Sequence, residues 1–268
     1  IIADKRLVIG APNGLASTEA RLKDDMMYAK VATFAGGDLE KGYKSNSKVY
    51  KETGSFDWVA VRTKYFAFYI VPQNEKLNYA EIVGEEIALN PNEKDKWKKY
   101  SVEMAMPYLG ERNANKEIMI YLGPLEYDIL KKYDYAMHDF MDFGWGFIKW
   151  FSLPILKTLK WMHNYIPNYG IVLLIFAVLI KIIVYPLTHK SYESMQKMQG
   201  IQPKLKELQE KYKNDPQKLN QATMAMYKEE GVNPMGGCLP MLIQMPLLFG
   251  LFIVFRTTIE LRGEGFMF

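Results

Sequence analysis

The hydrophobic positions of this chain follow different spacings in successive stretches. Up to about residue 140 they come in short runs or alternate with polar residues. Lys30-Val31-Ala32-Thr33-Phe34 reads as a strand and is followed by the turn signal Gly36-Gly37-Asp38. Residues 56–71 are the most strand-like run, dense in aromatic and β-branched side chains, and Arg62-Thr63-Lys64 interrupts them as a turn or bulge. Val102, Met104 and Met106 alternate with polar or small neighbours, as do Ile118 and Ile120, which is the period of a half-buried strand. Pro124 suits the first turn of a short helix over residues 125–133, with Leu125, Ile129 and Leu130 on one side. Short strands at this spacing predict a β-sandwich domain over residues 1–140.

Over residues 144–166 the text changes to aromatics and lysines. Trp145, Phe147, Trp150, Phe151, Trp161 and Tyr165 crowd the segment, and Lys149, Lys157 and Lys160 are its full charges. That pattern predicts an amphipathic helix lying in the membrane interface, with tryptophans at the boundary and lysines reaching outward. A helix buried beneath the β domain is the other reading. Pro167-Asn168 then breaks the pattern.

Residues 170–185 are apolar except for Lys181. As a helix they rise roughly 24 Å at ~1.5 Å per residue. Tyr169 and Leu187 extend them toward a hydrocarbon core of ~30 Å, which predicts a transmembrane helix over residues 168–187 that ends at Pro186. Residues 188–233 are polar with helical spacing: Tyr192, Met195, Met198, Leu205, Leu208 and Tyr212, with a joint at Gly200 and Pro203. Asp215 is the expected N-cap of a second helix carrying Leu219, Ala222 and Met226, and Gly231 its C-terminal stop. Two antiparallel helices make a hairpin whose methionines form either its core or a partner-binding surface. A second uncharged run predicts a transmembrane helix over residues 235–258, kinked by Pro240 and Pro246, with Gln244 as its polar candidate.

Charge orients these elements. The hairpin carries eight lysines, from Lys190 to Lys228, which places it on the cytoplasmic side. The β domain and the aromatic helix then lie outside, in the periplasm of a Gram-negative cell. A net charge of +4, thinly spread, gives no basic stripe for nucleic acid. Cys238 is the single cysteine, so no intramolecular disulfide forms. His138, His163 and His189 lie far apart, with no carboxylate or cysteine at metal-ligand spacing. A glycine-rich phosphate loop and a nucleophile elbow are both missing from the text. Glu85, Glu86 and Glu103 are not paired as a sugar-processing site requires. The expectation is therefore a protein that is not an enzyme and carries no cofactor or metal. The sequence opens Ile-Ile-Ala-Asp and reads as a piece of something longer.

Lys181 is the sharpest candidate residue. A lysine at the bilayer centre costs on the order of 2.5–3.5 kcal/mol. Gly170, Ala177, Lys181, Tyr185 and Thr188 recur at helical spacings and make one small or polar face on a greasy helix. Such a face looks into a bundle or a wet cavity, where a cation attracts a passing acidic residue. The alternative is a lysine that snorkels to the cytoplasmic headgroups.

Three stretches are diagnostic together: Tyr185-Pro186-Leu187-Thr188, the run from Met195 to Pro203 (MQKMQGIQP), and Asn233 to Pro246 (NPMGGCLPMLIQMP). In this order they resemble the YidC-type membrane protein insertases. Residues 144–169 are similar to that family's interfacial helix, and residues 56–72 and 121–124 to the end of its large periplasmic domain. The resemblance implies a mixed membrane protein: a periplasmic β-sandwich, an interfacial helix, and two transmembrane helices with a cytoplasmic hairpin between them. It also implies a hydrophilic groove open to the cytoplasm and to lipid. The implied function is insertion and folding of nascent inner-membrane proteins, alone or with the Sec translocon. The implied partners are nascent chains, the ribosome and membrane lipids. The family's groove carries a positive residue, usually arginine, and the matching position is Lys181, which keeps the charge and loses the planar fork. Tyr185 and Gln244 match positions on spans that line or adjoin the groove, and Ala177 and Thr188 complete the expected site. Met195, Met198 and Met226 are the expected hairpin contacts with client or ribosome. The competing reading is a membrane-tethered periplasmic chaperone or assembly scaffold.

Overall fold

The computed structural model describes residues 2–3, 6–46, 48–88, 96–108, 110, 115–133, 135–232 and 239–265. The chain divides into two compact units: Ile1–Asp142 with Thr257–Arg262, and Phe143–Arg256 with Gly263–Phe268.

The first unit begins with β1 (Ile2–Ala3), β2 (Arg6–Ala11), α1 (Leu22–Tyr28), β3 (Lys30–Ala35) and β4 (Asp38–Glu40). It continues through β5 (Val49–Phe56), β6 (Trp58–Arg62), β7 (Phe66–Pro72), β8 (Leu77–Ala88), β9 (Lys96–Pro107), β10 (Ile118–Pro124) and α2 (Tyr127–Lys131). The strands form two five-stranded sheets, ordered β1-β2-β9-β8-β5 and β10-β7-β6-β3-β4, and each neighbouring pair is antiparallel. Val31, Val59, Val61 and Ile70 of one sheet join Leu77, Ile82, Val102, Met104 and Met106 of the other in one core. The alternation at Val102, Met104 and Met106 is thus the inward face of β9. Gly36 and Gly37 take φ of 60° and 96° between the paired Ala35 and Asp38, the left-handed geometry a two-residue hairpin turn demands. The interruption at Arg62-Thr63-Lys64 is the turn between β6 and β7, closed by Thr63 N donating to Phe66 O at 2.8 Å.

All five residues of β6 are buried, so both faces of that strand are covered. Val59 and Val61 face the shared core. The opposite face, with Trp58 and Arg62, lies beneath a strap of residues 135–140 that includes a 3-10 turn at Met137–Phe140. Three side chains of β6 and β7 donate to carbonyls of this strap: Trp58 Nε1 to Tyr135 O at 2.6 Å, Tyr69 OH to Met137 O at 2.8 Å, and Arg62 Nη1 to Phe140 O at 2.8 Å. The Trp58 ring lies 5.2 Å from Tyr69 and 6.1 Å from Phe140, edge-on or tilted. Burial lowers the Arg62 guanidinium from its ordinary value, and the carboxylates of Asp142 and Asp25 oppose that. Burial likewise raises the Tyr69 phenol.

Two expectations for this unit differ from the structure. Pro124 is the last residue of β10, and α2 starts at Tyr127 after Glu126. A proline is compatible with that place because β10 is an edge strand with one unbonded side. Leu125 N, the next donor, is satisfied by Tyr65 O at 2.7 Å. Ile120 does not alternate into the core: it is 58% exposed and Leu122 is 66% exposed.

The second unit holds α3 (Gly146–His163), α4 (Tyr169–Gly200), α5 (Gln202–Lys211), α6 (Pro216–Glu229) and α7 (Leu239–Thr257). One face of α3 is buried through Ile148, Ser152, Ile155, Leu156, Leu159 and Met162. Trp145, Phe147, Trp150 and Trp161 stand on the surface at 60% exposure or more. The Asn168 side chain caps α4 by accepting from Ile171 N at 3.1 Å, and His163 stacks on Tyr169 with ring centroids 3.8 Å apart. Gly250 of α7 meets α3 closely: a Cβ built there lies 3.1 Å from Phe151 Cβ and 3.3 Å from Ser152 N.

The segment Tyr169–Pro186 of α4 is long and apolar enough to cross a membrane, with mean hydropathy 2.4 and 22% of it buried. Val178, Ile182 and Ile183 stand 58%, 67% and 63% exposed, a surface suited to hydrocarbon rather than water. In α7 the comparable apolar stretch is shorter, Gln244–Thr257. The expected stop at Pro186 does not occur: α4 runs on as one helix of 32 residues, roughly 48 Å long. Just beyond Ile182 O, the carbonyl that Pro186 leaves without its helical donor, Thr188 Oγ1 donates to Val184 O at 3.0 Å. The second half of α4 therefore belongs to the polar helical region. Its end packs Met198 beside Ile201, Leu205 and Leu208 of the α5 segment and Met226 and Tyr227 of α6.

Candidate functional site

A cleft of about 880 Å³ opens in the helical unit between α4 and α7. From α4 it is lined by Leu173, Ala177 and Ile180, then by Thr188, Ser191 and Met195. These positions recur at three and four on either side of Pro186, with one step of eight (two turns) from Ile180 to Thr188, so a single continuous helix face supplies them. From α7 the lining includes Gln244, Leu248 and Leu251, again at intervals of four and three. Most of the wall is apolar. Its polar groups are the hydroxyls of Thr188, Ser191 and Tyr192 and the amide of Gln244. Thr188 spends its proton on Val184 O and offers only lone pairs to the cleft. Gln244 is exposed and makes no hydrogen bond among the described residues.

Three of the five residues expected at the groove, Ala177, Thr188 and Gln244, line this cleft together. Lys181 and Tyr185 are exposed and are not among its lining residues. At ~100° per residue Lys181 nonetheless projects about 40° from Ala177, in the sector of α4 between the lining residues Thr188 and Tyr192. Its ammonium has no ion pair among the described residues. Of the hairpin methionines, Met195 is 43% exposed and lines the cleft, Met198 packs on the small hairpin core, and Met226 is inside it at 8% exposure. Ser191 and Tyr192 were not legible as cleft residues, because reading the helix as stopping at Pro186 hides that Ser191 continues the face of Ala177. Asn233 to Cys238, the core of the most distinctive sequence run, lie outside the described residues.

A β-rich unit joined to an apolar helix of membrane-spanning length, followed by a polar helical excursion, is the arrangement expected of a membrane protein with an extramembrane domain. Comparison with known families specifies which. The family model described as the YidC periplasmic domain matches residues 18–158, and the 60Kd inner membrane protein model matches residues 161–268. The chain is 41% identical over 264 residues to the membrane protein insertase YidC of Chlorobium limicola, covering 95% of this chain and 43% of that protein. It is 39% identical over 277 residues to the insertase of Chlorobaculum tepidum (99% and 45%) and 39% over 275 residues to that of Prosthecochloris aestuarii (99% and 46%). The chain belongs to the YidC family of membrane protein insertases, inner-membrane proteins with a periplasmic domain. It spans less than half the length of the curated relatives it matches.

Proposed function

We propose that this chain contributes the client-binding groove of a membrane protein insertase, a binding machine and not an enzyme. It would insert nascent inner-membrane proteins alone or together with the Sec translocon. The observation that carries the reading is the cleft itself, an 880 Å³ opening with hydroxyl and amide groups set into otherwise apolar helices. In this arrangement Tyr169–Pro186 and α7 are two transmembrane helices, α3 rests in the outer interface, and the lysine-rich region between them faces the cytoplasm.

The mechanism follows from magnitudes. Moving one carboxylate of a client's outer tail into hydrocarbon costs about 2.5–3.5 kcal/mol on insertion scales. Attraction to a cation about 4 Å away is worth ~4 kcal/mol at an effective dielectric of ~20. Lys181, swung over the mouth of the cleft on its flexible stem, therefore offsets the cost without trapping the tail. Release is driven by the client's own span, since about 20 apolar residues gain roughly 6–12 kcal/mol on partition into lipid. Tyr185 and Gln244 would hold the polar backbone on its way. Met195 is placed to touch an arriving client or ribosome, whereas Met198 and Met226 would do so only if the hairpin core opened.

In the full-length protein, Lys181→Ala should lower insertion of a client with an acidic outer tail about tenfold, as a loss of ~1.4 kcal/mol implies. Lys181→Arg should retain it, and Lys181→Glu should favour a tail recoded to lysine. The measurement is protease protection of the outer tail in proteoliposomes. Equal insertion by all three variants would remove Lys181 from the mechanism.

One observation favours the second reading, a tethered chaperone or scaffold: exposed Ile120 and Leu122 on the uncharged edge strand β10 offer a place for an extended apolar segment. That reading predicts loss of activity on Ile120→Lys with Leu122→Lys and none on Lys181→Ala.

A further inference from the structure

Thr257–Arg262, the residues at and just after the end of α7, belong to the β unit and not to the helical unit. Thr257 and Thr258 are buried, at 6% and 0% exposure. Arg262 holds the far end of this segment by three contacts of different kinds. Its Nε lies 2.8 Å from Glu19 Oε1, its Nη2 donates to Thr18 O at 3.1 Å, and its guanidinium carbon sits 5.6 Å from the centre of the Tyr65 ring. The recipient site is built. The Glu19 side chain is only 17% exposed, and its Oε1 also accepts from Thr18 Oγ1 at 3.3 Å. Tyr65 is buried at 7% exposure in the β6–β7 turn, and Leu125 N donating to its carbonyl at 2.7 Å holds its backbone.

An exposed pair of long side chains contributes little, because both must be ordered and water screens them. The Arg262 fork differs on each count. Its carboxylate partner is largely withdrawn from water, a backbone carbonyl fixes the fork's orientation, and the ring offers its negative face to the cation. Sequence separation adds weight, since Thr18 and Arg262 are joined across nearly the whole chain.

The geometry points to Arg262 as a clasp that fastens the segment leaving α7 to the β unit, so that this segment moves with the β unit and not with α7. The chain passes between the two units at Asp142-Phe143, Arg256-Thr257 and Arg262-Gly263, so Arg262 fastens the β-unit segment at the last of these crossings. The clasp does not depend on the groove mechanism.

Amide hydrogen exchange on the full chain in nanodiscs tests this directly. Arg262→Glu and Glu19→Arg are each expected to raise exchange across Thr257–Arg262 at least tenfold while the β6 amides stay protected. The double charge swap, Glu19→Arg with Arg262→Glu, should restore most of the protection, because the pair is remade with its ends exchanged. Arg262→Lys should give an intermediate result, keeping the charge and losing the fork. Unchanged exchange in Arg262→Glu would overturn the clasp. So would a double swap no better protected than the single variants.

Discussion

Arg62→Met is expected to destabilise the β unit by about 3–5 kcal/mol, the range for stripping one partner from a buried charged network. Methionine restores most of the volume, so little of the loss is cavity. What remains is polar. Arg62 is 2% exposed and donates to Phe140 O, Thr63 O and Lys64 O at 2.8, 3.1 and 3.3 Å. Each buried carbonyl left without a donor costs ~1–3 kcal/mol, less where water can reach it, as at the part-buried Lys64 contact. The Asp25 carboxylate, 1% exposed, would also lose the nearby cation. In hydrogen exchange of the full chain the β6 and β7 amides should lose protection about a hundredfold or more. Arg62→Lys should fall between, because one ammonium cannot reach all three carbonyls. Protection within threefold of wild type in Arg62→Met would show that the strap is held by Trp58 and Tyr69 alone.

Gly250→Leu is the second large effect, expected to cost about 1–3 kcal/mol and to force α7 away from α3. Glycine is required here by approach rather than by backbone dihedral. A Cβ at 3.1 Å from Phe151 Cβ and 3.3 Å from the Ser152 nitrogen already needs a shift of tenths of an ångström. The rest of a leucine has no space against Ile155, whose Cδ1 lies 3.4 Å from the same point. Small residues at such contacts let membrane helices pack closely where no hydrophobic effect drives them together. Ser152 sits in this contact, buried, with its hydroxyl within reach of Phe143 O at 3.1 Å and Ile148 O at 3.0 Å. The thermal midpoint of the full chain in detergent should drop for Gly250→Leu and change little for Gly250→Ala, with α3 amides around Ser152 exchanging faster only in the former. Equal midpoints for leucine and wild type would mean that α3 and α7 do not bear on each other in the membrane.

Much of the architecture was legible because one-dimensional periods survive folding. The alternation at Val102, Met104 and Met106 became the core face of β9, and the Gly36-Gly37 turn stands where its left-handed geometry is needed. The strap over Trp58, Arg62 and Tyr69 was not legible. It depends on carbonyls of residues 135–140 meeting donors some seventy residues earlier, and backbone acceptors leave no mark in the side-chain text. Pro186 misled for a local reason: proline reads as a helix stop in water, yet the helix continues past it with Thr188 bonded to Val184 O. The cleft was half legible. Ala177, Thr188 and Gln244 carry polarity or small size into a greasy helix and so stand out, whereas Leu173 and Leu248 look like any lipid-facing leucine until two helices are placed side by side.

Site-specific photocrosslinking in the full-length protein, against a ribosome-stalled client with an acidic outer tail, tests the groove most directly. The crosslinker is placed in turn at Gln244, at Lys181 and at the outward-facing Val178. Crosslinks to the client from 244 and 181 and to lipid alone from 178, with the 181 crosslink weakening when the client's tail is neutralised, are the predicted result. Client crosslinks from 178 with none from 244, or crosslinks from 181 only to lipid, would contradict it.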